Sequence, residues 1–311
     1  MRAILLFMCG ILLWSCKPYQ TATMRTGQIT YDEFRQDQKS FSSDQGTLAY
    51  IDKGKGPVIV LLHGVPTSGW LYRKMIDPLV KAGHRVIAPD MLGFGSSDNP
   101  DGYDIYSEAM HGERLLALMN HLRIDSWTHV MHDAGGLWTW EMLTQDASKV
   151  EKLVILNTIV YEEGFNPPVR FEPGFMAKTA MWSYRNGITT NMNLKKMFKD
   201  GLKENNLNKD DIKGYKTPMK EGKTKGMYYF FSQTCNALPD YQPMIQKLDV
   251  PAMVIWGKED PWLKLPPQQQ QLVDDLNIPD RRIHTLDAKH FIQEEKPDEI
   301  VELVLNFLAE R

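Results

Sequence analysis

Cysteine is scarce, with three in 311 residues, and two of them, Cys9 and Cys16, lie at the very start. A mature chain beginning at Cys16, with that residue lipidated, keeps Cys235 as its one free thiol. No intramolecular disulfide is then available, and the fold must be held by its core. Cys235 sits in an apolar and aromatic stretch, which reads as buried packing rather than as a nucleophile. An excess of one charge is also missing. The formal net charge is −3, which gives no electrostatic footprint for nucleic acid. There is no internal repeat, and no histidine outside the candidate site described below shows metal-ligand spacing; His111 and His121 fall on helical stretches. Neither a metal nor a cofactor is expected. What is abundant is apolar surface: 42% hydrophobic residues with ample Trp, Tyr and Phe bury a substantial core and exclude disorder.

A long hydrophobic run is absent as well. The first fifteen residues, MRAILLFMCGILLWS, are short of the roughly 20 apolar residues that span a bilayer. A charged start, a short apolar stretch and a small residue at its end describe a secretory signal peptide over residues 1–15. The segment Leu13-Trp14-Ser15-Cys16 resembles a bacterial lipoprotein box, which implies lipidation of Cys16 and an exported, lipid-anchored envelope protein on the periplasmic side or the cell surface. An uncleaved N-terminal anchor is the alternative. Residues 16–37 are polar and turn-rich, as a tether would be. Membrane contact is expected through the N-terminal lipid only.

From Thr47 onward, strand candidates alternate with helical patterns. TLAYID, VIVLLHG, RVIAPD, WTHVMHD, VEKLVILN, PAMVIWG and RRIHTLD read as strands, while WLYRKMIDPLVKAG, EAMHGERLLALMNHL and PDEIVELVLNFLAER read as amphipathic helices. Near-continuous apolar strands separated by helices predict an α/β fold with a mostly parallel central sheet covered on both faces. Between Asn157 and about Pro251 the strand signals stop, and Met, aromatic and Lys residues dominate. A loop of that length without structure would be improbable, so a helical lid inserted after the sixth strand is expected over residues 159–245. The core is then 38–158 and 246–311.

The stretch HVMHDAGG places Asp133 between a strand and the amphipathic LWTWEML, with Gly135 and Gly136 just after it. Strand, sharp turn and helix are the context of a nucleophile elbow, although Met131 occupies a position where a smaller residue is preferred. No G-x-S-x-G occurs anywhere, and GFGSS at Gly93 reads as a structural turn. Asp260 follows VIWG and His290 follows RRIHTLDAK, giving the chain order nucleophile, acid, base. His63-Gly64-Val65-Pro66 ends the strand that supplies half of an oxyanion hole.

With HGVPTSGWLYRKM, HRVIAPDMLGFGSSDNP, HDAGG, WGKEDPW and HFIQEEKPDEI, the chain resembles the aspartate-nucleophile branch of the α/β-hydrolase fold that contains epoxide hydrolases and haloalkane dehalogenases. The likeness covers roughly residues 45–158 and 245–311. It implies that Asp133 attacks an sp³ carbon, that His290 oriented by Asp260 activates water against the resulting ester, and that the N–H groups of Val65 and Ala134 receive the charge. In this family the acid can instead follow the sixth strand, where Asn157-Thr158 stand, with Glu162 and Glu163 a little beyond.

A departing halide needs N–H donors, whereas an opening epoxide needs an acid. Dehalogenases usually carry Trp after the nucleophile and Asn or Glu after the His-Gly pair; Ala134 and Val65 offer no side-chain donor. The family's lid tyrosines fall near Tyr184 and at Tyr228 or Tyr229, with Tyr229 and Tyr184 as the leaving-group acids and Tyr215 a structural landmark. A small apolar epoxide is therefore the preferred substrate. A haloalkane is the alternative, if Trp182 or Trp138 reaches the halide, and a non-catalytic binding protein on the same fold is a further one.

Overall fold

The computed structural model describes residues 28–310. The candidate signal peptide and Cys16 lie outside these residues. Eight strands form one sheet: β1 (Lys39–Ser43), β2 (Gly46–Gly54), β3 (Val58–Leu62), β4 (Arg85–Pro89), β5 (Trp127–Asp133), β6 (Val150–Thr158), β7 (Ala252–Gly257) and β8 (Ile283–Leu286). Their order across the sheet is β1-β2-β4-β3-β5-β6-β7-β8. The β1–β2 and β2–β4 pairs are antiparallel and the rest parallel. Every residue of β5 and β7 is buried, as a sheet covered on both faces requires.

Twelve α-helices accompany the sheet among the described residues. They are α1 (Tyr31–Asp37), α2 (Arg73–Lys81), α3 (Glu108–His121), α4 (Gly135–Gln145), α5 (Phe175–Ser183), α6 (Ile188–Gly201), α7 (Lys209–Lys220), α8 (Lys225–Ser232), α9 (Gln242–Ile245), α10 (Gln269–Leu276), α11 (Ile292–Glu295) and α12 (Pro297–Ala309). Alternation along the strands sends side chains to two layers. Met131 packs with Leu115 of α3 and Leu137 of α4, whereas its neighbour Val130 packs with Met75 of α2 and Val304 of α12. Helices α5 to α9 occupy the interval between β6 and β7; Gly214 of α7 lies against Trp70 and Gly226 of α8 against Phe94, from the segments that follow the carboxyl ends of β3 and β4, the end where open α/β sheets bind ligands.

Three details depart from the sequence reading. Strand β1, KSFSS, is serine-rich and mostly exposed, so it carries no apolar alternation to betray it; pairing with β2 alone makes it a strand. Arg281 and Arg282 form a short 3₁₀ turn ahead of β8 rather than part of it. The tether ends before residue 37, because Thr30 and Glu33 form a capping box that starts α1, and Tyr31 and Phe34 pack edge-on against Trp70, each with ring centroids 5.2 Å apart.

The lid is clamped to the core by buried charge. Arg73 of α2 donates to Asp211 of α7 at 2.5 Å and to both oxygens of Glu294 of α11 at 2.5 and 2.8 Å, and Lys74 adds a contact at 2.8 Å. The Tyr215 hydroxyl, also from α7, donates to Glu294. Burial opposes the Glu294 carboxylate, yet Arg73 and Lys74 outweigh it and bring its pKa down to about 2.

Candidate active site

Asp133 ends β5 with a left-handed φ of +54°, and α4 begins two residues later. A non-glycine residue in this region is strained, which is the cost of turning its carboxylate away from the sheet. The turn needs close approach of two backbones. A Cβ on Gly135 would lie 2.5 Å from the His63 carbonyl oxygen, and one on Gly64 would lie 2.4 Å from Asp133 Oδ1.

The two carboxylate oxygens have different surroundings. Oδ1 accepts the Val65 N–H at 2.7 Å, and the Ala134 N–H also donates to this carboxylate. Burial raises the Asp133 pKa above its ordinary value, while His290 and the two N–H donors pull against it. His63 sets the position of the first donor. Its Nδ1–H donates to the Gly64 carbonyl at 2.8 Å and its Nε2 accepts from Met91 N at 2.9 Å, and burial lowers its pKa to about 4, so it stays neutral. No role for His63 was expected from the sequence beyond its place in the His-Gly pair.

His290 Nδ1 donates to Asp260 Oδ2 at 2.9 Å, which leaves Nε2 facing Asp133 Oδ2 at 3.6 Å. Burial disfavours the imidazolium, but Asp260 and, to a smaller degree, Asp133 outweigh it and raise the His290 pKa. Asp260 is held by three further donors: Trp262 N at 2.8 Å and Leu263 N at 3.0 Å on Oδ1, and Asn157 Nδ2 at 2.6 Å on Oδ2. Asn157, at the end of β6 with a φ of +31°, thus holds Asp260, the candidate acid, from the position where the sequence left Asn157-Thr158 in place of an alternative acid. Its Oδ1 also accepts from Gly257 N at 2.9 Å, tying β6 to β7. Glu162 is exposed and paired with Arg170, and Glu163 is exposed.

His132 is a second residue that the sequence did not single out. Its Nε2–H donates to the His290 carbonyl at 3.0 Å and its ring lies 4.6 Å from the His290 ring. Burial keeps it neutral, its pKa well below the ordinary value. The signal was present in HDAGG, but a strand residue before the elbow gives no hint of which loop it will touch.

The lid residues divide. Tyr184 is half-buried and packs against both core layers; its backbone bonds to Met181 and Thr190, while its hydroxyl makes no hydrogen bond among the described residues. Tyr229 is placed elsewhere than expected. It packs with Leu48, Leu92 and Tyr106 in a satellite cluster, separate from the layer containing Val65 and Ala134. Neighbouring helical residues point about 100° apart, so α8 turns Tyr228 to the inside and Tyr229 away from it. Tyr228 stacks on Tyr103 at 4.1 Å, and its hydroxyl accepts from Gly174 N. Tyr215 belongs to the clamp. Trp138 is buried between His63 and His111, whereas Trp182 is 59% exposed. Cys235 is fully buried, and so is Met131.

Comparison with known proteins gives the family. The sequence pattern of the α/β hydrolase fold family matches residues 57–297. A haloalkane dehalogenase of Mycolicibacterium paratuberculosis is 31% identical over 273 residues, 83% of this chain and 86% of that protein. The AB hydrolase superfamily protein YfhM of Bacillus subtilis is 27% identical over 81% of this chain and 90% of its own. Among solved structures, an α/β hydrolase fold protein from Burkholderia ambifaria superposes with a TM-score of 0.71 at 23% identity, covering 86% of this chain and 97% of that one, a likeness of fold alone. With an aspartate on its elbow and these relatives, the chain belongs to the α/β-hydrolase family, in the type that includes haloalkane dehalogenases and epoxide hydrolases.

Proposed function

We propose that this hydrolase acts through a covalent alkyl ester on Asp133, with Asp133, His290 and Asp260 as its catalytic triad. The observation that carries the reading is the division of labour within one carboxylate: Oδ1 accepts the Val65 N–H at 2.7 Å, Oδ2 faces His290 Nε2 at 3.6 Å, and the Ala134 N–H adds a second backbone donor to the group. Oδ2 attacks the electrophilic carbon, the carbon–leaving-group bond breaks, and Oδ1 becomes the ester carbonyl oxygen. Water, deprotonated by His290 Nε2, then adds to that carbonyl and the backbone N–H donors hold the oxyanion; on collapse the bond from the acyl carbon to Oδ2 breaks, the alkoxide leaves on Oδ2 and takes the proton from the His290 imidazolium, and the carboxylate re-forms with an oxygen from water. Ester formation also prepares the base. Asp133 is one of the charges raising the His290 pKa, so esterification removes that support and favours the neutral imidazole when water must be activated.

The side chains around the leaving group favour an epoxide. Ala134 and Val65 carry no side-chain donor, and with Tyr229 set aside Tyr184, whose hydroxyl makes no hydrogen bond among the described residues, and the inward Tyr228 are the lid tyrosines left as acid candidates. A haloalkane is the second reading, favoured by the name of the 31% identical relative. A panel of epoxides and haloalkanes, scored for diol, alcohol and halide, tests both. Diol formation that falls about 10- to 100-fold in Tyr184→Phe supports the first. Halide release as the only activity selects the second, and turnover surviving in Asp133→Ala refutes the covalent mechanism.

A further inference from the structure

The lid carries an apolar surface that the site chemistry does not use. All five exposed large hydrophobic side chains among the described residues lie in α5 and α6: Phe175 at 81%, Met176 at 69%, Trp182 at 59%, Ile188 at 78% and Met192 at 65%. Along α5, the inner positions Ala177 and Met181 are buried in the core, while Phe175, Lys178, Thr179 and Trp182 form an outer face at helical spacing. Along α6, Ile188, Asn191, Met192, Lys195, Lys196 and Lys199 recur at helical spacing and are all exposed, Lys196 pairing with Asp200 at 2.6 Å. Ser183 joins the two helices, its Oγ accepting from Asn193 Nδ2 at 2.9 Å. Residues 173–199 hold five basic residues and no acidic one, in a chain whose net charge is −3.

Contiguous exposed apolar residues mark an interaction surface, and aromatic and aliphatic side chains bordered by lysines match the interface of an anionic bilayer. A second observation points to the same partner. The described chain starts on the lid: Asn208 donates to Gln28 at 3.4 Å, Tyr31 N donates to Asp210 at 2.5 Å, and Asp32 pairs with Lys213 at 2.5 Å, all on or next to α7. Helix α7 packs on α6 through Tyr215 and Phe198, ring centroids 5.0 Å apart. The apolar run of residues 1–15 is separated from Gln28 by residues 16–27, a chain that reaches about 40 Å at full extension. A membrane holding that run or its lipid is therefore within reach of the lid.

We infer that the outer face of α5 and α6 docks on an anionic phospholipid surface, with Phe175, Trp182, Ile188 and Met192 in the interface and Lys178, Lys195, Lys196 and Lys199 toward the headgroups. The full chain then meets the membrane twice, through its N-terminus and through its lid. The contact goes beyond the hydrolytic reading and stands without it.

The test must separate the lid from the N-terminal run, and Trp182 allows this. In a Trp14→Phe background, which removes the indole of that run, the full chain is mixed with vesicles of phosphatidylglycerol and phosphatidylethanolamine carrying brominated acyl chains. Emission should be quenched and blue-shifted, and adding Trp182→Phe should abolish most of the quenching while the chain still floats with the vesicles. Equal quenching in both proteins overturns the proposal. Lys195→Glu combined with Lys199→Glu should lower partitioning to these vesicles on the order of 10-fold or more, with no change on phosphatidylcholine. Partitioning to anionic vesicles unaltered by that change also overturns it. So does a concentration-dependent dimer that shields Trp182 from acrylamide without lipid, which would assign the face to a second copy.

Discussion

In the proposed mechanism Asp133 keeps Oδ1 on the Val65 N–H and presents Oδ2 on the side of His290, and this split has consequences for single substitutions. Alkylation needs no base, whereas hydrolysis of the ester does, so His290→Gln should form the adduct and then stall, with hydrolysis slower by about 10² to 10⁴-fold. Mass spectrometry of the peptide containing Asp133 should find the alkyl group; full multiple turnover by the variant would contradict the mechanism. The two steps also separate by pH. In the ester Asp133 carries no charge and Asp260 is left raising the His290 pKa; the neutral imidazole is the base, so ester hydrolysis falls as pH drops through the His290 pKa of the ester form. Alkylation needs ionised Asp133, whose pKa is raised from a much lower starting point of 3.8. Rapid-mixing measurements along a descending pH series should therefore show adduct accumulating as hydrolysis fails before alkylation does; simultaneous loss of both steps would argue against His290 as the base. Asp133, Asp260 and His290 were legible as candidates because the spacing of motif and strand end identifies residues. His63, His132 and Asn157 were not, because each acts on a backbone group or side chain far away in sequence.

At the scale of elements, the lid is attached by the ion network on Glu294 rather than by apolar packing alone. Truncating Glu294 to Ala strands Arg73 with Asp211 as its remaining carboxylate and leaves the Tyr215 hydroxyl without its acceptor. The expected loss is on the order of 3 kcal/mol, measured by denaturant unfolding, with Tyr215→Phe costing about 2 kcal/mol. Near-identical stability of Glu294→Ala and wild type would show that the lid does not depend on the clamp. The seven strand candidates from TLAYID onward were readable because runs such as VIVLL and AMVIWG are apolar throughout. Strand β1 was not, being stabilised by its partner rather than by its own pattern. Nor could KGMYYFF say which of two adjacent tyrosines faces inward, since that depends on how α8 is rotated against Tyr103 and Leu92.

For the whole molecule, the proposed export and anchoring predict a mature N-terminus at a lipidated Cys16, which mass spectrometry of the protein from its native envelope would read directly; an intact Met1 would remove the proposal. The sequence by itself determined the alternation of strands and helices, the aspartate on the elbow and the chain order of the candidate nucleophile, acid and base, because local periodicity and turn chemistry are written in neighbouring residues. Only the tertiary structure decided which side chains meet. It brought Asn157 from β6 to Asp260 after β7 and His132 from β5 to the His290 loop. It also turned Tyr229 away from the inner layer and left one face of α5 and α6 uncovered. Such contacts depend on the packing of elements distant in the chain, and no local pattern encodes the angle at which one helix settles on another.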